Sequence, residues 1–170
     1  MSATADEPVL RDAGRDDLPA LAALHVAAFR ETHGGGPSPA IREAQWREKF
    51  GSDRLLFCIV LEEPGGALVG FASGEPHDRA DGLPYDGELT KIYLLRAYHR
   101  RGLGRRLLCA ASERFLERHV SSMLLFGDAA SPSNGFYQAM GGERLHSSTG
   151  EFHGGYGWRD LATLAPRCRP

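Results

Sequence analysis

Tyr98-His99-Arg100-Arg101-Gly102-Leu103-Gly104-Arg105-Arg106-Leu107-Leu108 sets two glycines and four arginines at the start of an amphipathic run. Residues of those types in that order suit a pyrophosphate. Glycine lets the backbone approach a ligand closely, the first N–H groups of a helix have no intrahelical acceptor, and the helix dipole adds partial positive charge at the same end. Between Lys91 and Ser112 the chain carries Lys91, Arg96, Arg100, Arg101, Arg105 and Arg106 and no acidic residue, although its formal net charge is -2. The positive charge is local. With 20 basic against 22 acidic residues overall, a broadly basic nucleic-acid or membrane-binding face is not expected.

Such a turn needs a strand to deliver it and a helix to receive it. Glu88 to Leu95 reads as the strand. Leu103 to Arg118 reads as the helix, with Leu107, Leu108, Ala111, Phe115 and Leu116 as its buried stripe and Arg106, Glu113, Arg114 and Glu117 outside. Upstream, Pro8 to Arg11 predicts a strand, and Asp16 or Asp17 caps a helix carrying Leu18, Leu21, Ala22, Leu24, His25, Ala28 and Phe29. That helix runs out at Gly34-Gly35-Gly36. Ser38-Pro39 opens a second helix through Trp46 and Phe50. Leu55 to Leu61 and Ala67 to Gly74 predict a hairpin around Glu62-Glu63-Pro64-Gly65-Gly66, and 76–87 a loop. Ser122 to Phe126 predicts a strand, Pro132 to Met140 a short helix ended by Gly141-Gly142, and Gly155 to Leu164 a closing strand. The expected order is β-α-α-β-β-β-α-β-α-β, a mixed α/β fold.

A chain of 170 residues, 42% hydrophobic, supports one domain over 1–170 with its core at about 8–165. Cys58, Cys109 and Cys168 are odd in number and widely spaced, which indicates neither a disulfide framework nor a zinc site and fits a reducing cytoplasm. No HExxH or similar spacing marks the seven histidines, so no metal is expected, and His25 and Cys109 read as packed side chains. The N-terminus lacks a basic region followed by an apolar one, and no run approaches a membrane span, so a soluble cytoplasmic protein is expected.

A strand, a glycine turn and a helix also describe two nucleotide-binding motifs, and both fail on spacing. GxGxxG requires glycine where the chain has Leu107, and GxxxxGK[ST] is absent. Glu88-Leu89-Thr90-Lys91-Ile92-Tyr93-Leu94-Leu95 followed by His99-Arg100-Arg101-Gly102-Leu103-Gly104 instead resembles the core motif of the GNAT family of N-acetyltransferases, [Gln/Arg]-x-x-Gly-x-[Gly/Ala]. Phe136-Tyr137-Gln138-Ala139-Met140-Gly141-Gly142 is similar to the second landmark of that family. The element order matches from Val9 to Leu164. His99 stands where the motif has Gln or Arg, and Ser131 and Ala130 stand where many members carry a pantetheine-contacting asparagine, with Asn134 nearby but out of register.

The resemblance implies a central, mostly antiparallel sheet splayed at the cofactor cleft and flanked by about four helices. It implies acetyl-CoA as co-substrate, no metal, and an amine acceptor, small molecule or peptide, acetylated by direct attack; a homodimer is compatible with it. The alternative is a non-catalytic acyl-CoA binder on the same fold. The implied cofactor contacts are Ile92, Tyr93 and Leu94 on the strand, His99, Arg100, Arg101, Gly102, Leu103, Gly104 and Arg105 at the turn, and Asn134. Of Arg100, Arg101, Arg105 and Arg106, about half are expected to meet phosphate, since helical spacing cannot aim all four inward. A free strand N–H polarises the thioester carbonyl. Tyr137 protonates the departing thiolate, and Glu88 takes a proton from the ammonium form of the acceptor. The acceptor is expected between Phe29, Glu31, Trp46 and Tyr156, with Asp78, Asp81, Asp86 and His153 around it, a mixture suited to a cationic amine.

Overall fold

The computed structural model describes residues 6–169. In chain order these form β1 (Val9–Asp12), α1 (Leu18–His33), α2 (Pro39–Phe50), β2 (Phe57–Glu62), β3 (Leu68–Pro76), β4 (Gly87–Leu94), α3 (Leu103–Glu117), β5 (Met123–Leu125), α4 (Asn134–Ala139), β6 (Glu143–His146) and β7 (Phe152–Trp158), with short 3-10 turns at Arg15–Asp17, Arg96–Tyr98 and Leu161–Cys168. All seven strands join one sheet in the order β1-β2-β3-β4-β5-β7-β6.

Residues 57–61 of β2 are all buried because the strand is covered on both faces. Phe57, Ile59 and Leu61 point into the cluster built on Leu107, Leu108, Ala111 and Phe115 of α3, while Cys58 and Val60 point into the cluster built on Leu18, Leu21, Leu24 and Trp46 of α1 and α2. The helices thus sandwich the sheet. Among the described residues no helix is long and apolar enough to cross a membrane.

Strand neighbours are antiparallel except β4 and β5, which run parallel and pair only at Gly87 with Met123 and at Glu88 with Leu124. Beyond Glu88 the two strands part, and one side of β4 from Leu89 onward has no strand partner. β4 also bulges: Ser73 pairs with Lys91 and Gly74 with Leu89, leaving Thr90 over, its hydroxyl on Ser73.

The helix starts at Leu18 and Pro39 lie where capping chemistry places them, Ser38 Oγ accepting from Ile41 N at 3.3 Å. Asp17 differs. Its carboxylate takes the guanidinium of Arg11 and the N–H of Gly14, at 2.8 and 2.7 Å, instead of capping α1. Leu116, expected in the stripe of α3, is 40% exposed because the stripe closes with Phe115 at the last turn.

The C-terminal region corrects two expectations. A seventh strand, β6, pairs with β7; its residues, Glu-Arg-Leu-His, lie at the sheet edge and carry no buried apolar face to betray it. Leu161 to Leu164 is not strand but the start of a 3-10 segment, with Asp160 Oδ1 accepting from Ala162 N. That segment packs along α3 and joins Cys168 to Cys109 in a disulfide, the Cα atoms 5.8 Å apart. The two lie 59 positions apart in sequence, so spacing gave no sign of the pairing. The disulfide replaces the expected packed thiol at Cys109 and removes the cysteine argument for a reducing compartment. Cys58 is free and buried, its thiol pushed up to about 12 by that burial.

Candidate active site

The glycine-arginine turn leaves β4 through the 3-10 turn and folds back onto the strand end, where His99 Nε2–H donates to the Leu94 carbonyl at 2.9 Å. Arg100 at φ 63° and Gly102 at φ 75° both adopt the left-handed conformation. A Cβ on Gly102 would meet nothing within 4 Å, so the backbone angle, not crowding, calls for glycine there. Two left-handed residues and a helix start turn a row of N–H groups outward. From Arg100 to Arg105 none of these N–H groups has a protein acceptor among the described residues; the first satisfied one is Arg106 N on Gly102 O at 3.1 Å.

The arginines divide. Arg106 Nη1 reaches back to the Pro8 carbonyl at 3.0 Å, and Arg96 is bound to Glu31 through both backbone and guanidinium. Arg101 lies over the Tyr98 ring, 5.3 Å from its centroid, while the Tyr98 hydroxyl donates to Glu63. Arg100 and Arg105 make no hydrogen bond or ion pair to the described residues and are the cations left for a ligand.

The parting of β4 and β5 opens beside this seat. Ile92 and Leu94 pack against the α3-side cluster, whereas Tyr93 turns to the other face, stacked on Phe71 at 5.5 Å between centroids. Tyr137 of α4 stands on the far side of the parting, its ring 5.4 Å from that of Tyr156 and 6.4 Å from that of Trp158. Burial, with Tyr93 and Tyr156 adding to it, pushes the Tyr137 phenol up to about 12, so it is a neutral donor over the physiological range. Asn134, expected at the pantetheine arm, spends its amide on the carbonyls of Asp128 and Ala129, at 3.2 and 2.9 Å; it braces the β5–α4 loop.

On the opposite face of β4 a recess of about 420 Å³ lies between α1, α2 and the strand, lined by His25, Arg42, Gln45, Trp46, Glu48, Lys49, Ser52 and Lys91. Trp46 Nε1–H donates to His25 Nδ1 at 3.2 Å, which fixes a neutral imidazole; burial, with Arg42 and Lys91 nearby, pulls its pKa down to about 3. Lys49 is paired with Glu75, which sits opposite Glu88 across β3 and β4. Glu88 is half-buried and shares this face with Lys91.

The predicted acceptor residues fare unevenly. Trp46 is a core residue holding His25. Glu31 is bound to Arg96, away from the recess. Phe29 lies under the guanidinium of Arg42 at 5.0 Å and so borders the recess. Tyr156 is fully buried beside Tyr137, its hydroxyl without a partner. Asp78 and Asp81 close loop turns on Ala80 N and Leu83 N, Asp86 pairs with Arg79, and His153 is exposed beside Glu151. Trp46 and Phe29, both expected at the acceptor, lie at this recess, but its cations Arg42, Lys49 and Lys91 were not expected there, although Lys91 is a charge within an apolar strand.

A model of the acetyltransferase (GNAT) family matches residues 18–141. The uncharacterized N-acetyltransferase YuaI of Bacillus subtilis (strain 168) is 35% identical over 165 residues, covering 91% of this chain and 95% of that protein. Among solved structures, the ribosomal-protein-alanine N-acetyltransferase of Brucella melitensis aligns at a TM-score of 0.67 and 26% identity, over 88% of this chain and 96% of its own. YncA of Salmonella typhimurium, solved with acetyl-CoA, aligns at 0.68 and 19% identity, over 92% and 95%.

Proposed function

Since the chain belongs to the acetyltransferase (GNAT) family and is an acetyl-CoA-dependent acyltransferase, we propose that it acetylates a primary amine by direct attack on the thioester. The observation that carries this reading is the end of β4–β5 pairing at Glu88 and Leu124, with the row of free N–H groups at one end of the opening and Tyr137 at its side. In this reading the N–H groups of Arg101 to Arg105 take the pyrophosphate, with Arg100 and Arg105 as counter-charges. The free backbone edge of Ile92 to Leu94 pairs with the pantetheine amides, and an N–H at the bulge polarises the thioester carbonyl.

The proton balance constrains Tyr137. The amine attacks in its neutral form, having lost one proton, for which Glu88 is the acceptor proposed. After attack the nitrogen loses a second proton while the C–S bond breaks and the thiolate gains one. Burial raises the Tyr137 phenol and keeps it a neutral donor facing the sulfur. Tyr137 therefore hydrogen-bonds the sulfur as charge develops and passes on the proton the nitrogen releases, ending the cycle neutral. Incubation with acetyl-CoA and a panel of primary amines, reading free thiol, tests the proposal: amine-dependent thiol release is expected. Coenzyme A binding with no such release from any amine would leave a binding protein instead.

A further inference from the structure

We propose that the recess between α1, α2 and β4 holds a carboxylate of the acceptor, so that the acceptor is a small amine carrying its own anionic group. The inference rests on the acetyl-transfer reading, because it assigns the second substrate of that reaction.

Two cations reach the recess from opposite walls with no carboxylate of their own. Among the described residues Arg42, on α2, hydrogen-bonds only the Gln45 side-chain oxygen, at 3.1 Å, and leaves its buried Nε without a partner. Lys91, on β4, makes no ion pair with the described residues, and its ammonium is held below the usual lysine range by burial, Lys49 and Arg42, against the opposing pull of Glu75 and Glu88. Lys49 is spoken for by Glu75, and Glu48 is the one acid lining the recess. Two half-buried like charges facing one space repel each other, and an anion between them relieves both. His25 adds a neutral donor. With Nδ1 accepting from Trp46, its Nε2 carries the hydrogen and has no acceptor among the described residues.

The chemistry of these donors suits a carboxylate, which takes a guanidinium N–H and an ammonium on separate oxygens. Position suits it as well. Lys91 directly precedes Ile92, where β4 has already left β5, so the recess and the opening share one stretch of the strand. A volume of about 420 Å³ is the scale of a small-molecule site. A polyamine, in contrast, would bring further positive charge against Arg42 and Lys91.

The test uses the full chain saturated with coenzyme A, which cannot react, and measures by calorimetry the binding of three probe sets: L-amino acids, their carboxamides, and polyamines. At least one amino acid should bind about tenfold or more tightly than its carboxamide, and Arg42→Gln and Lys91→Met should each remove most of that preference. Thermal unfolding midpoints identify a variant that has lost its fold, and either substitution alone suffices. Carboxamides or polyamines binding as tightly as amino acids, or none of the three sets binding, overturns the proposal. The same probes are then given with acetyl-CoA: carboxylate-selective binding without thiol release contradicts acetyl transfer and leaves the anion site standing, and thiol release without carboxylate preference does the reverse.

Discussion

The two faces of β4 are built on different principles. On the donor side the groups that would meet the ligand are backbone N–H groups, set outward by two left-handed residues and a helix start. In the recess proposed for the acceptor they are side chains, Arg42, Lys91 and His25, brought from three elements. A backbone site depends on chain conformation and tolerates exchange of side chains; the His99 side chain here binds the Leu94 carbonyl. A side-chain site has no such tolerance, and its specificity changes with single substitutions.

The largest effect is expected where the two faces meet. Tyr137→Phe keeps the ring contacts with Tyr156 and Trp158 but removes the proton relay; kcat should fall by about 100-fold or more, with acetyl-CoA affinity nearly unchanged. Loss of cofactor affinity instead would make Tyr137 part of the donor wall. Next, Gly102→Val forces a β-branched residue to positive φ, a strain of roughly 1–3 kcal/mol, and should weaken coenzyme A binding by about 10- to 100-fold, while Gly102→Asn, tolerant of that conformation, should largely retain it. Equal losses in Val and Asn would mean that the site is not conformational.

A third prediction concerns the acceptor side alone. The folded pKa of His25 lies below its unfolded value, so the stability it contributes is complete above about pH 6.5 and is lost as pH falls from there toward about 3, by at most about 4–5 kcal/mol. Melting temperature followed from pH 7 to pH 4 should drop, and His25→Gln, which keeps an acceptor for Trp46, should flatten the slope. An unchanged slope would mean that the imidazole is not held neutral. The smallest contrast divides the arginines. Arg105→Ala should weaken coenzyme A binding several-fold, while Arg106→Ala, tied to Pro8, should leave affinity alone and reduce stability by about 1 kcal/mol.

The same contrast explains what the sequence revealed. The strand, the glycine turn and the helix start between Glu88 and Leu108 were legible because they are contiguous. The sheet's inner strands were legible from the apolar run at β2 and the hairpin turn after it. The recess that brings Arg42 and Lys91 together was not legible, because they are 49 positions apart and nothing in the order of residues says that α2 faces β4. Of the aromatics and acids expected there, Trp46 lines the recess and Phe29 borders it, whereas Glu31 is bound to Arg96 and Asp78 and Asp81 close loop turns. Strand β6 escaped because an edge strand without a buried face has no period to read. The Cys109–Cys168 pairing escaped because it depends on a 3-10 segment that read as strand.

The most direct test of a backbone-built donor site is a titration of the full chain with coenzyme A, followed through its backbone amide resonances. The account predicts the largest shifts at the N–H groups of Arg101 to Arg105 and along Ile92 to Leu94, with the recess around Arg42 and Trp46 little changed. Shifts concentrated in that recess, with the turn after β4 silent, would contradict it.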